Sequence, residues 1–409
     1  MNHEIGGEPP ADLRRKHDLA SLLHPTSVED FFADHWEQGP FLVQHRGEDY
    51  YRGLLTNREL EEIISHSDVR YPALRLAKGG RYYPPESYTK DLQVGLLTFH
   101  GVPDLDRVAA EYAKGATIAL PALHLIWLPL RELCVGLEQQ LDHSIHANVY
   151  VTPGQCAGFP AHYDTHDILV LQIAGKKRWL IDEPTIRLPH DSQMFKPEGF
   201  TPGPRLAEIE LSAGDLLYLP RGYVHSTTTS RCHSVHITIG INIYSWVDVV
   251  REVAPSCVES ETFRKALPVG FASRAEVRPA MREQLLRMLP QLSASNDCDR
   301  LLERLIHAVV GYKTSIPHRF RAEAVVISPD SLLKAPEEQR YVVEYLSTGA
   351  SLTFQGRTYL FPPNLAPALS AICAHAAFRV KDLADGLGIE GVLGFARYLQ
   401  SVGFLSPAD

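Results

Sequence analysis

No two cysteines in the sequence stand at CxxC spacing; Cys134, Cys156, Cys232, Cys257, Cys298 and Cys373 are scattered singly. That argues against a zinc site or a disulfide framework and leaves six incidental thiols as the expectation. Also missing is any apolar run approaching the roughly 20 residues that span a bilayer. The opening stretch, MNHEIGGEPPADLRRKHDLA, lacks the apolar core of a signal peptide. A cytoplasmic protein with no membrane partner is therefore expected. Positive charge is in deficit, with a formal net charge of −9. This disfavours broad attraction to nucleic acid and better suits a basic protein or peptide partner. No internal repeat is visible. The 409 residues exceed the usual size of one domain, so two or three are expected.

The pattern along the chain divides it further. Residues 1 to about 20 are polar, with Gly-Gly and Pro-Pro, and read as a loose tail. Order is expected from Ser27, a helix N-cap followed by acidic residues and by Phe31, Phe32 and Trp36. FLVQH after Gly39-Pro40 reads as a strand, and helices are predicted over 58–65, 104–114 and 130–140. From Ala147 to about Trp246 short β-rich runs alternate with turns, the pattern of an antiparallel barrel or sandwich. Helical spacing returns from Val247 to about Val310, clearest in MREQLLRMLPQL and DRLLERLIHAVV. The last hundred residues begin with VVEYLSTGASLTFQGRTYLF, read as two strands, and continue with three helical segments. That succession resembles a winged-helix domain. Its candidate recognition segment, IEGVLGFARYLQSVGF, holds only Arg397 as a basic residue, so an interaction or structural role is expected there instead of direct nucleic-acid binding.

The chemistry concentrates in ANVYVTPGQCAGFPAHYDTHDILVLQIAGKKRWLID, residues 147–182. An HxD triplet alone is weak, and His66-Ser67-Asp68 is a second one at the end of a predicted helix, where its side chains would diverge. His162-Tyr163-Asp164 differs by context. On a strand, residues two apart share a face, so His162 and Asp164 could enter one barrel interior. His225, after an apolar run and beside Pro220-Arg221-Gly222, supplies another imidazole at a barrel mouth. Two histidines and one carboxylate leave coordination positions open, which suits non-haem Fe(II) better than structural zinc. The competing reading is a pair of satisfied core histidines and a capping aspartate. His166 is expected in the pocket or behind the ligands, and His236, not His233, is the later histidine expected to face inward. A dicarboxylate co-substrate would need a cation. Of Lys176, Lys177 and Arg178 after the Gly175 turn, only alternate members can point inward; Lys176 and Arg178 are read as solvated, and Lys177 shares a face with Trp179.

With ANVYVTP, HYD, LQIAGKKRW, GDLLYLPRGYVH and HSVHITIGI in hand, the chain resembles the JmjC-domain oxygenases of the cupin superfamily, in their ribosomal-oxygenase branch. The resemblance implies an α+β protein: a double-stranded β-helix (jelly-roll) barrel, then a helical dimerisation region, then a C-terminal winged helix. The implied division is a flexible tail over 1–24, a catalytic domain over 25–246, dimerisation helices over 247–315 and a winged helix over 316–409. It further implies Fe(II)- and 2-oxoglutarate-dependent hydroxylation using O2, with His162, Asp164 and His225 as catalytic metal ligands. Lys177 matches the residue that pairs with the distal carboxylate of 2-oxoglutarate, and Asn148, Tyr150 and Thr238 match polar positions around it. Lysine at the anchor is the choice of the animal histidyl hydroxylases, where the bacterial arginyl hydroxylase has arginine. An arginyl or histidyl side chain of a ribosomal protein is thus the implied substrate, with homodimerisation through the helical region. The same chemistry on another peptide, a small molecule, RNA or methyl-lysine, and a non-enzymatic binding module, stay as alternatives.

Overall fold

The structure, a computed structural model, describes residues 17–408 except 67–68, 258–260, 269–273, 291–326, 337–340, 355–356 and 385. The chain divides into two compact units, Met1–Ile243 and Tyr244–Asp409. Expectations that fall wholly or partly outside the described residues include most of the tail, the DRLLERLIHAVV helix, the end of MREQLLRMLPQL, parts of the 247–315 and 316–409 regions, and Ser67 and Asp68 of the second HxD triplet.

In the first unit the described chain is ordered before the expected start at Ser27. Helix α1, Leu19–Leu23, is capped by Asp18, whose carboxylate accepts from the Ser21 amide while Ser21 accepts from the Asp18 amide. Leu19, Leu22 and Leu23 are buried, so this part of the stretch read as a flexible tail belongs to the core. The polar composition that suggested a tail ends where these three leucines begin. Helix α2, Val28–Asp34, starts at the expected Ser27 cap. Then come β1 (Phe41–Val43), α3 (Asn57–His66), β2 (Arg75–Lys78), β3 (Arg81–Tyr82), β4 (Thr89–Val94), β5 (Leu97–Pro103), α4 (Leu105–Ala113), β6 (Thr117–Leu120) and α5 (Leu128–Leu141). The β4–β5 hairpin, turning at Gly95 with φ +60°, has no sequence-based prediction because neither strand has a buried face to pattern it. The remaining strands are β7 (Ser144–Thr152), β8 (Asp167–Asp182), β9 (Arg205–Ser212), β10 (Leu216–Leu219) and β11 (Val224–Asn242).

All pairings are antiparallel, in the order β1-β10-β8-β11-β7-β6-β2-β3, with β9 on the second half of β8. Helices pack on this antiparallel sheet. Strand β8 corrects one expectation: it continues through Gly175 where a turn was predicted. Gly175 has φ +64° and a Cβ there would lie 1.8 Å from the His233 carbonyl oxygen, so glycine bends the strand without ending it. At that bend β8 changes partner from β10 to β9, while β11 follows it on both sides.

Two faces of the sheet then have different fates. Ile145, Ala147, Val149 and Val151 of β7, with Val235, Ile237, Ile239 and Ile241 of β11, join the main core with α1, α3 and α5 residues. The alternate residues, His146, Asn148, Tyr150 and Thr152, face the other way, opposite Gly240, Thr238, His236 and Ser234. A slip of one residue would push imidazole, amide and phenol into the core and expose aliphatics worth roughly 1.5–3 kcal/mol each, so register is strongly fixed. Ile168, Val170, Trp179, Ile181, Leu211, Leu217 and Leu219 form a separate apolar cluster.

The second unit holds α6 (Trp246–Ser256), α7 (Glu261–Arg264), α8 (Arg278–Met288), β12 (Leu332–Lys334), β13 (Tyr341–Leu346), β14 (Gly349–Phe354), β15 (Arg357–Phe361), α9 (Ala366–Ala374), β16 (Phe378–Arg379), α10 (Gly388–Ser401) and β17 (Ser406–Pro407). The stretch read as two strands is a three-stranded antiparallel meander, because its second half pairs as two strands, β14 ending at Phe354 and β15 starting at Arg357. Leu352, Leu369, Ile372, Val392, Ala396 and Leu399 anchor its own core. No helix among the described residues is long and apolar enough to cross a membrane.

Candidate metal centre

His162 and Asp164 do not sit on a regular strand, as the spacing argument assumed. They lie in the extended segment leading into β8, where His162 makes an isolated antiparallel bridge with His225 at the start of β11. The bridge has two bonds: His162 N to His225 O at 3.1 Å and His225 N to His162 O at 2.8 Å. Backbone pairing across a chain separation of 63 residues (225 − 162) therefore sets the two imidazoles side by side, with ring centroids 4.5 Å apart. Asp164 completes the group: one ligand atom from each of His162, Asp164 and His225 lies within 4.8 Å of the others. Asp164 Oδ2 is 3.7 Å from His225 Nε2.

Both imidazoles are oriented from behind. Nδ1 of His162 donates to the Pro160 carbonyl at 2.8 Å, and Nδ1 of His225 to the Tyr223 carbonyl at 3.1 Å. A carbonyl oxygen only accepts, so in the neutral ring the proton sits on Nδ1 and Nε2 presents a lone pair, the state a metal requires. Burial, with His162 beside it, pushes the His225 imidazole down to about 4, keeping it neutral. Burial alone would raise the Asp164 carboxyl, but His225, His166, His162 and His146 around it hold it below its usual value. The residues therefore fit a divalent ion: two imidazole nitrogens and one carboxylate oxygen, grouped within 4.8 Å.

Lys177 lies on the buried side of β8. It is 2% exposed, while Lys176 and Arg178 point to solvent and pair with Glu210 and Glu208 on β9. Its Nζ reaches Thr152 Oγ1 at 3.3 Å and lies 3.5 Å from His236 Nδ1, and no carboxylate among the described residues pairs with it. Burial pushes its pKa down to about 7. His236 is itself driven well below its ordinary value by burial and by Lys177, and it stacks on Tyr150 at 5.1 Å. Between Lys177 and the metal cluster stands Trp179, ring centroids 5.7 Å from both His225 and His236.

The other expected residues are placed as follows. Asn148 and Thr238 are register partners on β7 and β11. The Asn148 carbonyl accepts from the Ala122 amide at 2.9 Å, which leaves its NH2 as the donor end. Burial raises the Tyr150 phenol, so it stays protonated and can donate. His166 is not grouped with the ligands; its ring lies 5.0 Å from His146. His233 is exposed and His236 buried. Sequence reasoning missed Thr152 and His146, although the period-two pattern carrying Asn148 and Tyr150 includes both. It also missed the aromatic rim near His162, formed by Phe159 and Phe195 at 6.1 and 6.2 Å with Tyr82 against Phe159. These come from three separate loops or strands and have no sequence signal. Cys134, Cys156 and Cys232 are free thiols.

Residues 129–249 match the JmjC domain family. Over 334 residues the chain is 29% identical to a bifunctional lysine-specific demethylase and histidyl-hydroxylase NO66 of Drosophila persimilis, covering 74% of this chain and 45% of that protein. It is 30% identical over 274 residues to ribosomal oxygenase 1 of Danio rerio, covering 64% and 48%. The chain thus spans less than half the length of either relative. Among solved structures, that of ycfD from Escherichia coli is similar with a TM-score of 0.49 at 16% identity, covering 93% of this chain and 98% of that one.

Proposed function

With residues 129–249 a JmjC domain, we propose that the protein is an Fe(II)- and 2-oxoglutarate-dependent dioxygenase that hydroxylates a protein side chain. The observation that carries this reading is Lys177: a buried amine with no carboxylate partner among the described residues, separated by Trp179 from a two-histidine, one-carboxylate cluster. A buried uncompensated ammonium is costly, and an incoming carboxylate removes that cost.

His162, Asp164 and His225 would hold the iron through Nε2, a carboxylate oxygen and Nε2. When bound, the iron supplies O2 activation, so that one oxygen enters a substrate C–H bond while 2-oxoglutarate is converted to succinate and CO2. This chain's residues bind and orient. Lys177 pairs with the carboxylate of 2-oxoglutarate remote from the metal, as a point charge without the bidentate fork of arginine. Tyr150, Asn148, Thr152 and Thr238 offer hydrogen bonds along the same wall. Trp179 and His236 fill the space beside Lys177 and keep water from it. The Phe159, Phe195 and Tyr82 rim receives the substrate side chain beside His162.

The names of the relatives, a lysine-specific demethylase and histidyl-hydroxylase and a ribosomal oxygenase, support a histidyl residue of a ribosomal protein as the substrate, with an arginyl residue as the alternative. The net charge of −9 is compatible with such a basic partner. Helices α6 and α8 leave Trp246, Val250, Leu285 and Leu286 exposed, which supports a homodimer through this region. The meander with α9 and α10 fits a winged helix used for interaction. The test is anaerobic loading with Fe(II) followed by exposure to O2. Succinate should form from 2-oxoglutarate, and mass spectrometry of ribosomal proteins should show one oxygen gained at one residue. No 2-oxoglutarate consumption in the metal-loaded full chain would sink the proposal.

A further inference from the structure

Behind the metal cluster lies a closed ring of four polar residues, one of them outside the segment that matches the JmjC domain. Asp167, three residues after Asp164, is fully buried. Its Oδ2 accepts from the Tyr218 hydroxyl at 2.5 Å; its Oδ1 accepts from the Arg221 backbone amide and from Arg221 Nη1, both at 3.0 Å. The same Arg221 Nη1 pairs with Glu37 at 2.5 Å, and the Glu37 amide donates to the Tyr218 hydroxyl at 3.0 Å. The stretch around Glu37 is fixed to β10 as well: Trp36 stacks on Tyr218 with centroids 5.8 Å apart, and Phe31 meets it edge-on at 5.0 Å.

This ring grips the turn that aims the ligands. Within Pro220–Tyr223, the Gly222 amide donates to the Asp164 carbonyl at 3.0 Å, and the Tyr223 carbonyl accepts from His225 Nδ1. Arg221, the residue immediately before Gly222, is tied to Asp167 through both backbone and side chain. One short turn therefore sets the backbone of one ligand and the ring of another. Gly222 has φ +91° and a Cβ would lie 2.1 Å from the Ile186 carbonyl oxygen, so the turn has no alternative seat.

We propose that Asp167, Arg221, Tyr218 and Glu37 form the positioning network of the metal centre, through which the segment around α2, outside residues 129–249, fixes the geometry of Asp164 and His225. The inference rests on the reading of His162, Asp164 and His225 as a metal site. A buried ion pair adds little net stability over an apolar replacement of the same shape, so the ring acts through orientation more than through stability. Groups behind a ligand typically change metal affinity by about 10- to 100-fold.

The test uses the full chain with Co(II) as the probe, read by its visible ligand-field absorption, alongside the melting temperature of the metal-free protein. Tyr218→Phe removes one hydroxyl and keeps the ring; Glu37→Gln removes one charge at the partly exposed end. Both should fold, weaken Co(II) binding by about 10- to 100-fold and shift the absorption bands. Asp167→Asn should do so more strongly, and if it fails to fold the other two decide. Folded variants that bind Co(II) with wild-type affinity and spectrum overturn the network while leaving the metal site standing. A wild-type chain that binds no Co(II) overturns both.

Discussion

Lys177 allows the sharpest test of the pocket, because its charge should depend on what is bound. Burial sets its pKa at about 7, against 10.5 for an ordinary lysine. In the metal-loaded protein without co-substrate, about half of the molecules carry the charge near pH 7 and roughly one in a hundred near pH 9. A carboxylate 3 Å from the ammonium stabilises the charged form, so binding must draw a proton from solvent whenever Lys177 begins neutral. The dissociation constant of 2-oxoglutarate should therefore rise roughly 50-fold between about pH 7 and about pH 9, with close to one proton taken up per ligand at the upper end. Calorimetry with Mn(II) under anaerobic conditions, repeated in buffers of different ionisation enthalpy, measures both quantities. Lys177→Arg is the discriminating control: its guanidinium stays charged, so any binding it retains should be flat with pH. Lys177→Met should lose on the order of 2–5 kcal/mol of 2-oxoglutarate affinity. The sign for folding is opposite. A base whose folded pKa lies below its unfolded value leaves the unfolded chain holding more protons between about 7 and 10.5. The co-substrate-free protein should thus gain stability as pH rises through that window, and Lys177→Met should abolish the gain. A wild-type affinity independent of pH, without proton uptake, would refute the placement of Lys177 as the anchor.

Three further outcomes are expected. His162→Ala, Asp164→Ala and His225→Ala should each lose metal binding and succinate production while circular dichroism still reports the β-rich fold; wild-type turnover in any of them would remove that residue from the site. Arg178→Ala should change stability by no more than about 0.5 kcal/mol and leave 2-oxoglutarate affinity unaltered, since its pair with Glu208 is half exposed. An affinity loss comparable to that of Lys177→Met would mean the wrong face of β8 had been assigned. Gly175→Ala, whose Cβ would lie 1.8 Å from the His233 carbonyl oxygen, should cost at least about 1–3 kcal/mol and lower the melting temperature; an unchanged melting curve would contradict the strand bend described above.

Much of the site was legible because it follows the strand period. The alternation in ANVYVTP places Asn148 and Tyr150 on one face, and the alternation in GKKRWLID separates Lys177 and Trp179 from Lys176 and Arg178; both hold in the structure. The period argument reached the right pairing of His162 with Asp164 through a wrong premise, since those residues lie on an extended entry segment held by a bridge to His225. Helix starts at Ser27 and Asp104 were readable from cap chemistry, which is local. The helix at Leu19–Leu23 was not, because its leucines matter only through partners far along the chain, such as the Gln140 side chain that accepts from the Leu19 amide.

The sequence by itself determined the ligand types, the inward face of each strand and the isolation of one lysine from its basic neighbours, because period and residue chemistry are local properties. Only the tertiary structure decided that Lys177 is buried with no acid beside it among the described residues, that His225 meets His162 across a backbone bridge, and that Glu37 reaches Arg221 and, through it, Asp167 behind the ligands. Those facts depend on strands and segments that approach only when the sheet closes. The charge state of a lysine, the tautomer of a histidine and the aim of a carboxylate are all set by what closure brings beside them.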